Sequence, residues 1–198
     1  MTLLYLVRHA RSTWNVEGRW QGQADPPLDE VGLKQAHAVA ARLQDEALAA
    51  IYTSPLQRAR QTAEIVAATC HAPLRTDNRL MERNVGEWAG LTSEEVKARY
   101  PDSFKPGWWI KGAPGGESEA ELAARVQAVF NEILAAHPDT SVAVISHGGT
   151  LNAFLAHIFA SQHGVFAFEN ASLAQVQVRG ESVRLLRLGD TAHLAGLE

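Results

Sequence analysis

Leu3-Leu4-Tyr5-Leu6-Val7-Arg8-His9 is a short apolar run that leads directly into two side chains able to carry chemistry. Two further apolar runs, residues 48–52 and 142–145, are bounded by turn or polar residues in the same way. None of the three alternates cleanly between apolar and polar residues, which is typical of strands buried on both faces of a parallel sheet. The three runs therefore predict the central strands of an α/β domain.

Segments with helical periodicity lie between these runs. Their start signals are the N-cap Asp29, the pair Ser54-Pro55 with proline at the first helical position, and the capping boxes Thr92 with Glu95 and Ser118 with Glu121. The first helix is predicted to carry Leu33, Ala36 and Val39 on its apolar stripe, and another helix is predicted just after Gly148-Gly149. Strands that alternate with helices predict a three-layer α/β/α sandwich with a mostly parallel central sheet.

The last part of the chain predicts a different kind of strand pair. Residues 173–178 and 183–188 are separated by Arg179-Gly180-Glu181-Ser182, which predicts a hairpin near the sheet edge. A length of 198 residues predicts one domain, 1–198. Residues 100–116 are rich in proline, glycine and tryptophan, so the stretch at about 91–117 is predicted to form a lid-like excursion over the sheet.

The composition excludes several classes of protein. The 22 acidic and 18 basic side chains give a net charge of −4, which argues against a nucleic-acid or membrane-surface binder. A single cysteine, Cys70, excludes a disulfide scaffold, and no apolar run approaches the roughly 18 residues of a membrane span. The first apolar run has no basic region before it and no cleavage site, so we expect a strand, not a signal peptide, and a cytoplasmic protein. Arginine makes up 14 of the basic residues and is suited to bidentate recognition of carboxylate or phosphate.

Polar side chains follow the carboxyl ends of the three central strands, where ligands bind in open α/β sheets. Arg8-His9 follows the first strand, Arg58 lies in the first turn of the helix after the second, and Ser146-His147-Gly148-Gly149 follows the third. Each residue alone has an ordinary explanation, such as a packed histidine, a solvated arginine or a tight turn. If the strands are adjacent, the histidines, the arginines and the helix N-termini beside them converge on one pocket suited to a phosphoryl group.

Motifs along almost the whole chain resemble those of the histidine phosphatase superfamily, which has the phosphoglycerate mutase-like fold. The motifs are Leu6-Val7-Arg8-His9 with Ser12-Thr13-Trp14-Asn15, Gln21-Gly22 with Asp25-Pro26-Pro27-Leu28, Ser54-Pro55-Leu56-Gln57-Arg58-Ala59, Leu80-Met81-Glu82, Gly115-Gly116-Glu117-Ser118, and Ser146-His147-Gly148-Gly149. The two histidine motifs together are highly specific. Among the family's members, the sequence most resembles the broad-specificity phosphatases.

The resemblance implies catalytic roles for two residues. His9 would be the nucleophile that forms a phosphohistidine, and a neutral imidazole is a competent nucleophile near pH 7. Glu82 would protonate the leaving alkoxide and then deprotonate the attacking water, and the alternative is a surface carboxylate paired with Arg79 or Arg83. The resemblance implies no metal and no cofactor. The residues that it implies for phosphate binding are Arg8, Asn15, Arg58, His147 and Gly148.

Two positions depart from the family pattern. Ala10 stands where glycine is common, so the turn after His9 has to form without a positive φ. Arg11 stands where Glu or Gln is common and reverses the local charge. We expect Arg11 to face solvent or pair with an acidic neighbour, with substrate contact as the alternative.

The length of the excursion favours hydrolysis over mutase activity. Cofactor-dependent mutases of the family carry a longer insertion where this chain has only residues 91–114, and a shorter cover leaves water access. Contacts with the rest of the substrate are assigned to Gln21, Gly22, Trp108 and Trp109. Ordinary packing of the tryptophans is the alternative.

The expected function is that of a metal-independent phosphomonoester phosphatase for small phosphorylated metabolites, acting as a monomer or homodimer. Neither nucleic acid nor membrane is expected as a partner. The alternatives are a phosphoglycerate mutase, a narrow phosphatase for α-ribazole phosphate, phosphoserine or a sugar phosphoglycerate, and a non-catalytic protein that senses phosphorylated ligands. A structural metal is not expected, because the remaining histidines, which include His163, lack clustered partners at ligand spacing.

Overall fold

A six-stranded mixed sheet lies at the centre of the computed structural model, which describes residues 1–162 and 164–197. The strands are β1 (Thr2–Arg8), β2 (Leu48–Thr53), β3 (Leu74–Thr76), β4 (Ser141–Ser146), β5 (Leu173–Arg179) and β6 (Ser182–Asp190). The α-helices are α1 (Thr13–Val16), α2 (Glu30–Leu43), α3 (Gln57–Cys70), α4 (Ser93–Arg99), α5 (Trp108–Lys111), α6 (Glu119–Ala136) and α7 (Gly148–Ile158). Among the described residues, no helix is both long enough and apolar enough to cross a membrane.

The strand order β3-β2-β4-β1-β5-β6 places the three predicted central strands side by side. β3, β2, β4 and β1 run parallel, and β5 pairs antiparallel with β1 and with β6. Arg8 of β1 lies opposite Ser146 of β4, and the His9 N–H donates to the Ser146 carbonyl oxygen at 2.8 Å. His9 and His147 therefore leave neighbouring strands at the same edge of the sheet.

Apolar side chains cover both faces of the sheet and form the predicted three-layer α/β/α sandwich. Within β1, Leu4 and Leu6 pack with the residues of α6 and α7, while Tyr5 and Val7 pack with those of α2 and α3. All four side chains are fully buried. A strand that is buried on both faces has no polar face, which explains why the run shows no alternation.

Two details of the predicted helices are wrong. Leu33 is 42% exposed, because Gly32 is the buried residue of that turn of α2. Gly32 packs so closely that a Cβ added to it would lie 1.9 Å from the Arg11 carbonyl oxygen. Ser54 does not cap α3. The N-cap is Leu56, whose backbone is still extended, and its N–H donates to the Ser54 hydroxyl oxygen at 3.2 Å in the turn before the helix.

Other local predictions are confirmed. The Asp29 side chain accepts the Gly32 N–H and caps α2, and capping boxes at Thr92 and Ser118 open α4 and α6. The β5–β6 hairpin lies at one edge of the sheet. The opposite edge is β3, a strand of three residues that is too short to show a pattern in the sequence.

The segment of residues 91–117, here named the cover, contains α4 and α5 and packs with Trp20, Val85 and Trp88 in a small separate apolar core. Trp88 is fully buried at the centre of that core. The rings of Trp20, Phe104 and Trp108 lie around it, with centroids 5.7, 5.3 and 4.9 Å from that of Trp88. The cover is therefore packed separately from the two faces of the sheet.

Candidate active site

The two histidine motifs meet in a cavity at the carboxyl ends of β1 and β4. The rings of His9 and His147 are buried, with centroids 5.1 Å apart, and Arg58 approaches from the first turn of α3 with 1% of its surface exposed. The cavity has a volume of about 340 Å³. The predicted site residues that line it are Arg8, His9, Asn15, Gln21, Gly22, Arg58, Glu82 and Trp108.

One hydrogen bond determines which nitrogen of His9 can act as a nucleophile. His9 Nδ1 lies 2.7 Å from the Ala10 carbonyl oxygen, which can only accept, so Nδ1 carries the proton. Burial, followed by the charges of Arg58 and Arg8, holds the pKa of His9 well below its usual range. The ring is therefore neutral at pH 7 and keeps a lone pair on Nε2.

Arg8 and Arg58 bring two positive charges to the cavity. Arg58 donates from Nη1 to the Ala24 carbonyl and from Nη2 to the Gly22 carbonyl, and Arg8 donates from Nη1 to the Phe168 carbonyl, each at 2.7 Å. The Nε atom of each is buried and has no partner among the residues that the structure describes. Burial lowers the pKa of Arg58 to about 10. A buried guanidinium with a free donor is suited to binding an anion.

His147 adds a further donor beside His9. It is fully buried at the N-cap of α7, and within the described part of the chain neither of its ring nitrogens has a hydrogen-bond partner. Burial, followed by the charge of Arg58, lowers the pKa of His147 well below its usual range. A neutral imidazole carries one N–H, so His147 can donate a hydrogen bond to an oxygen atom next to His9.

Backbone N–H groups hold the Glu82 carboxylate in the cavity wall. Oε1 accepts the Arg83 N–H at 2.7 Å, and Oε2 accepts the Gly149 N–H in the first turn of α7 at 3.0 Å. The alternative of a surface ion pair is wrong. Arg79 pairs with other carboxylates, and the Arg83 side chain donates to a backbone carbonyl.

Asn15 and Gln21 are connected through Ser12. The Ser12 hydroxyl oxygen lies 2.8 Å from Asn15 Oδ1 and 2.9 Å from Gln21 Oε1. Asn15 Oδ1 also accepts from the Ser12 N–H at 3.0 Å and from Asn170 Nδ2 at 3.2 Å. Because Oδ1 is already used as an acceptor, the amide nitrogen is the group that Asn15 can offer to an anion in the cavity.

The remaining predicted contacts lie in different places. Trp108 lines the cavity, and the Arg83 guanidinium carbon lies 5.7 Å from the centroid of its ring. Trp109 is not among the lining residues, because neighbouring side chains on a helix point about 100° apart, and its carbonyl accepts from Arg83 Nη1 at 2.7 Å. His147 and Gly148 are also absent from the lining, where Gly149 represents their motif, and the His147 ring lies fully buried beside that of His9.

Seven residues of the cavity wall are not among the predicted site residues, and they are Gly18, Arg19, Trp20, Arg83, Val85, Ser93 and Gly149. Arg83 is buried, and its Nη2 atom has no partner among the described atoms. Its position directly after Glu82 was the one available signal. Ser93 accepts from Trp20 Nε1 at 3.2 Å, a contact between distant parts of the chain that no local pattern shows.

The two departures from the family pattern have structural explanations. Ala10 is fully buried, its N–H donates to the Thr62 hydroxyl oxygen at 3.1 Å, and its φ is negative, as the turn requires. Arg11 pairs with Asp29 at 2.8 Å, as predicted, and is not among the residues lining this cavity. Neither side chain lines the cavity beside His9.

A metal centre has no visible basis in residues 1–162 and 164–197. They contain no group of three or more His, Cys, Asp or Glu side chains placed to hold a metal ion. His163, which the sequence prediction included, lies outside the described residues.

Comparisons with known proteins show which family the sequence matches. Residues 4–191 match the model of the histidine phosphatase superfamily, branch 1. The chain is 36% identical over 202 residues to "Phosphoserine phosphatase 1" of Hydrogenobacter thermophilus, with 98% of this chain and 95% of that protein covered. It is also 36% identical over 208 residues to "Probable phosphoglycerate mutase GpmB" of Yersinia pestis, again with 98% and 95% covered.

A solved structure shows the same fold. The mycobacterial glucosyl-3-phosphoglycerate phosphatase Rv2419c, in complex with VO3, matches with a TM-score of 0.88 and 30% sequence identity. The match covers 96% of this chain and 99% of that chain. The similarity therefore extends along nearly the whole molecule.

Proposed function

The chain belongs to branch 1 of the histidine phosphatase superfamily, and from that premise we propose that it hydrolyses phosphomonoesters of small metabolites, without a metal, through a phosphohistidine on His9. The observation that carries the proposal is the free lone pair on His9 Nε2 in a cavity with buried donors that have no other described partner. Two of these donors, Nε of Arg8 and Nε of Arg58, belong to residues of the cavity wall, and the third is the buried ring of His147 next to His9. They match a nucleophile and the three nonbridging oxygens of a phosphoryl group.

The first step transfers the phosphoryl group to the enzyme. The Nε2 lone pair of His9 forms an N–P bond while the P–O bond to the leaving group breaks. Arg8, Arg58 and His147 bind the nonbridging oxygens and stabilise their charge. Glu82, as the carboxylic acid, gives its proton to the leaving oxygen, so that the products are a free alcohol and phosphohistidine.

The second step returns the enzyme to its starting state. Water attacks phosphorus, the Glu82 carboxylate takes a proton from the water, and the N–P bond breaks and returns the lone pair to Nε2. Inorganic phosphate leaves. One carboxylate can serve both steps because the N–H groups of Arg83 and Gly149 hold it in one position.

His9→Ala is expected to abolish hydrolysis of p-nitrophenyl phosphate, because the variant has no nucleophile that can attack phosphorus. The assay is steady-state hydrolysis together with alkaline-quench trapping of radiolabelled phosphate, since phosphohistidine survives alkali. Wild type should carry the label. The matched control is His37→Ala, which removes an exposed histidine of α2 and should leave hydrolysis unchanged.

Two results would contradict this proposal. Full activity of His9→Ala would show that His9 is not the nucleophile. A wild-type protein that binds phosphorylated ligands but neither hydrolyses them nor takes up label would be a non-catalytic sensor.

A phosphoglycerate mutase is the second candidate, because one relative with 36% identity carries that name. A mutase has to keep its phosphoenzyme away from water until the intermediate is presented again. The cover here has only two short helices, of seven and four residues, which favours access of water and hydrolysis. Interconversion of 2- and 3-phosphoglycerate well above the rate of hydrolysis would make the mutase the correct assignment.

A panel of phosphorylated metabolites tests the breadth of specificity. We propose broad specificity, since the cavity wall away from His9 combines the aromatic rings of Trp20 and Trp108 with the cations Arg19 and Arg83. The panel includes phosphoserine, a sugar phosphoglycerate and α-ribazole phosphate. A kcat/KM for one of them that exceeds all others by orders of magnitude would replace the broad assignment with a narrow one.

A further inference from the structure

We infer that Arg125 of α6 is a positioning residue for the reaction, because it holds the backbone of the loop of residues 79–84 and so sets where the Glu82 carboxylate lies in the cavity. The inference rests on the proposed role of Glu82 as general acid and base. Arg125 lines no part of the cavity and touches no reacting atom. Its effect therefore has to pass through the loop.

All five N–H groups of Arg125 are used. Nη1 donates to the carbonyl oxygens of Arg79 and Met81, each at 2.7 Å, and Nη2 donates to that of Glu82 at 3.1 Å. Nε and Nη2 donate to the two carboxylate oxygens of Glu117 at 2.6 and 2.7 Å. A guanidinium has five N–H groups, so these five bonds engage every one of them.

Glu117 fixes the guanidinium and binds the same loop. Its backbone N–H donates to the Asn84 carbonyl oxygen at 2.8 Å, and its Oε2 accepts the Asn84 N–H at 3.3 Å. The Arg125 and Glu117 side chains are only 18% and 13% exposed. A bidentate, largely buried pair is more rigid than a surface ion pair. Arg125 and Glu117 together therefore hold the loop on both sides of Glu82.

The loop position matters because two different elements hold the carboxylate. Oε1 is bonded to the N–H of Arg83 in the loop, and Oε2 to the N–H of Gly149 in α7. A shift of the loop relative to α7 would lengthen one bond or the other. α6 is packed on α7, with the rings of Phe130 and Phe154 stacked at 3.7 Å, so Arg125 connects the loop to the same unit that carries Gly149.

Arg125→Lys tests the inference, because lysine keeps the charge but cannot reach five acceptors. A misplaced general acid slows the departure of a poor leaving group far more than that of a good one. We expect kcat/KM for glycerol phosphate to fall roughly 10- to 100-fold, and that for p-nitrophenyl phosphate by about threefold or less. The value of kcat/KM reports only the steps up to the phosphoenzyme, so the later attack of water does not affect it.

Arg79→Gln is the matched control. Arg79 connects the same loop to α6 through Glu132, at 2.6 Å, but its side chain has no contact with Glu82. Its loss should leave the ratio between the two substrates unchanged. A general loosening of the loop would instead change the ratio in both variants.

Glu82→Gln separates the inference from its premise. It should slow glycerol phosphate selectively, as Arg125→Lys does but more strongly. If Glu82→Gln shows no such selectivity, the proposed acid role fails. If Glu82→Gln is selective but Arg125→Lys lowers kcat/KM for both substrates equally, or for neither, the positioning role is overturned. Should Arg125→Lys fail to fold in thermal unfolding, Glu117→Gln carries the same test, with the same selective loss expected and the same result overturning it.

Discussion

Hydrogen bonds with the backbone set the state of the two reacting side chains. The Ala10 carbonyl selects the tautomer of His9, and the N–H groups of Arg83 and Gly149 orient Glu82. Backbone amides do not titrate, so their own donor and acceptor character is the same at every pH. The charged groups of the cavity remain available for the substrate.

Gly149→Ala is expected to lower kcat/KM about 10- to 100-fold while leaving the protein as stable as wild type or more so. A Cβ at this position would lie 2.5 Å from Glu82 Oε1, so the carboxylate has to move. Alanine favours the helix more than glycine does, by up to about 1 kcal/mol. Steady-state kinetics and urea unfolding measure the two effects.

The control for Gly149→Ala is that its activity should fall while its stability stays the same or rises. A variant that loses activity together with stability would point to general damage of α7. A fully active variant would show that Glu82 has room to move or does not take part.

The helices and strands differ in how far the sequence predicts them. β1, β2 and β4 were predictable because a buried strand is a continuous apolar run, and the capping boxes at Thr92 and Ser118 because they are local patterns. The positions of His9 and His147 followed from the strand ends. These features together account for the central part of the site.

The remaining features depend on contacts between distant parts of the chain. The helical pattern predicts a buried Leu33, because it does not show that Gly32 packs against the Arg11 backbone. Trp108 and Trp109 have the same chemistry in the sequence, and only the rotation of α5 decides which one faces the cavity. Three of the five bonds of Arg125 reach residues more than 40 positions away, and the other two reach Glu117, eight positions away. No periodicity in the sequence reveals such a set of contacts.

Trp108→Ala is expected to raise KM for an aryl phosphate about 5- to 30-fold, the equivalent of about 1–2 kcal/mol of aromatic contact, with little change in inhibition by inorganic phosphate. Trp108 is expected to contact only the part of the substrate beyond phosphorus, because it lines the cavity while the phosphate donors come from other elements. Trp109→Ala, outside the cavity wall, is the matched control and should leave KM unchanged. Equal effects of the two substitutions, or a large loss of phosphate inhibition, would contradict this division.

The whole molecule carries a net charge of −4, yet its cavity concentrates cations. Arg8 and Arg58 reach it from β1 and α3, and burial of these groups makes an anion the favourable partner. The acidic excess lies on helix surfaces, as at Glu94 and Glu119. Net charge therefore argues against a long polyanion as partner and is compatible with one small phosphate ester.

The free energy of unfolding is expected to fall as the pH drops from 7.0 to 5.5, by about 2–3 kcal/mol. Burial holds the pKa values of His9 and His147 well below 6.5 in the folded protein, while the unfolded chain binds these protons near 6.5. Stability is therefore complete above about pH 6.5 and is lost below it, by up to about 1.4 kcal/mol per group and pH unit. His137 and His193 are shifted in the same direction and add to the loss.

Urea unfolding at the two pH values measures this change. His9→Gln removes one of the two most strongly shifted groups, so its loss between pH 7.0 and 5.5 should be clearly smaller than that of wild type. Equal free energies of unfolding at both pH values would show that the buried histidines accept protons in the folded state.

The separate core of the cover has a consequence for how substrate choice can change. The spacing of His9 and His147 depends on the ladder between β1 and β4, and not on the cluster around Trp88. The reaction centre and the cover therefore have separate supports, and they are joined at a small number of contacts. These include Arg83 with the Trp109 carbonyl, Glu117 with Asn84 and Arg125, and Trp20 with Leu91 and Ser93. A grafted cover that kept these contacts is expected to give the same chemistry a different substrate.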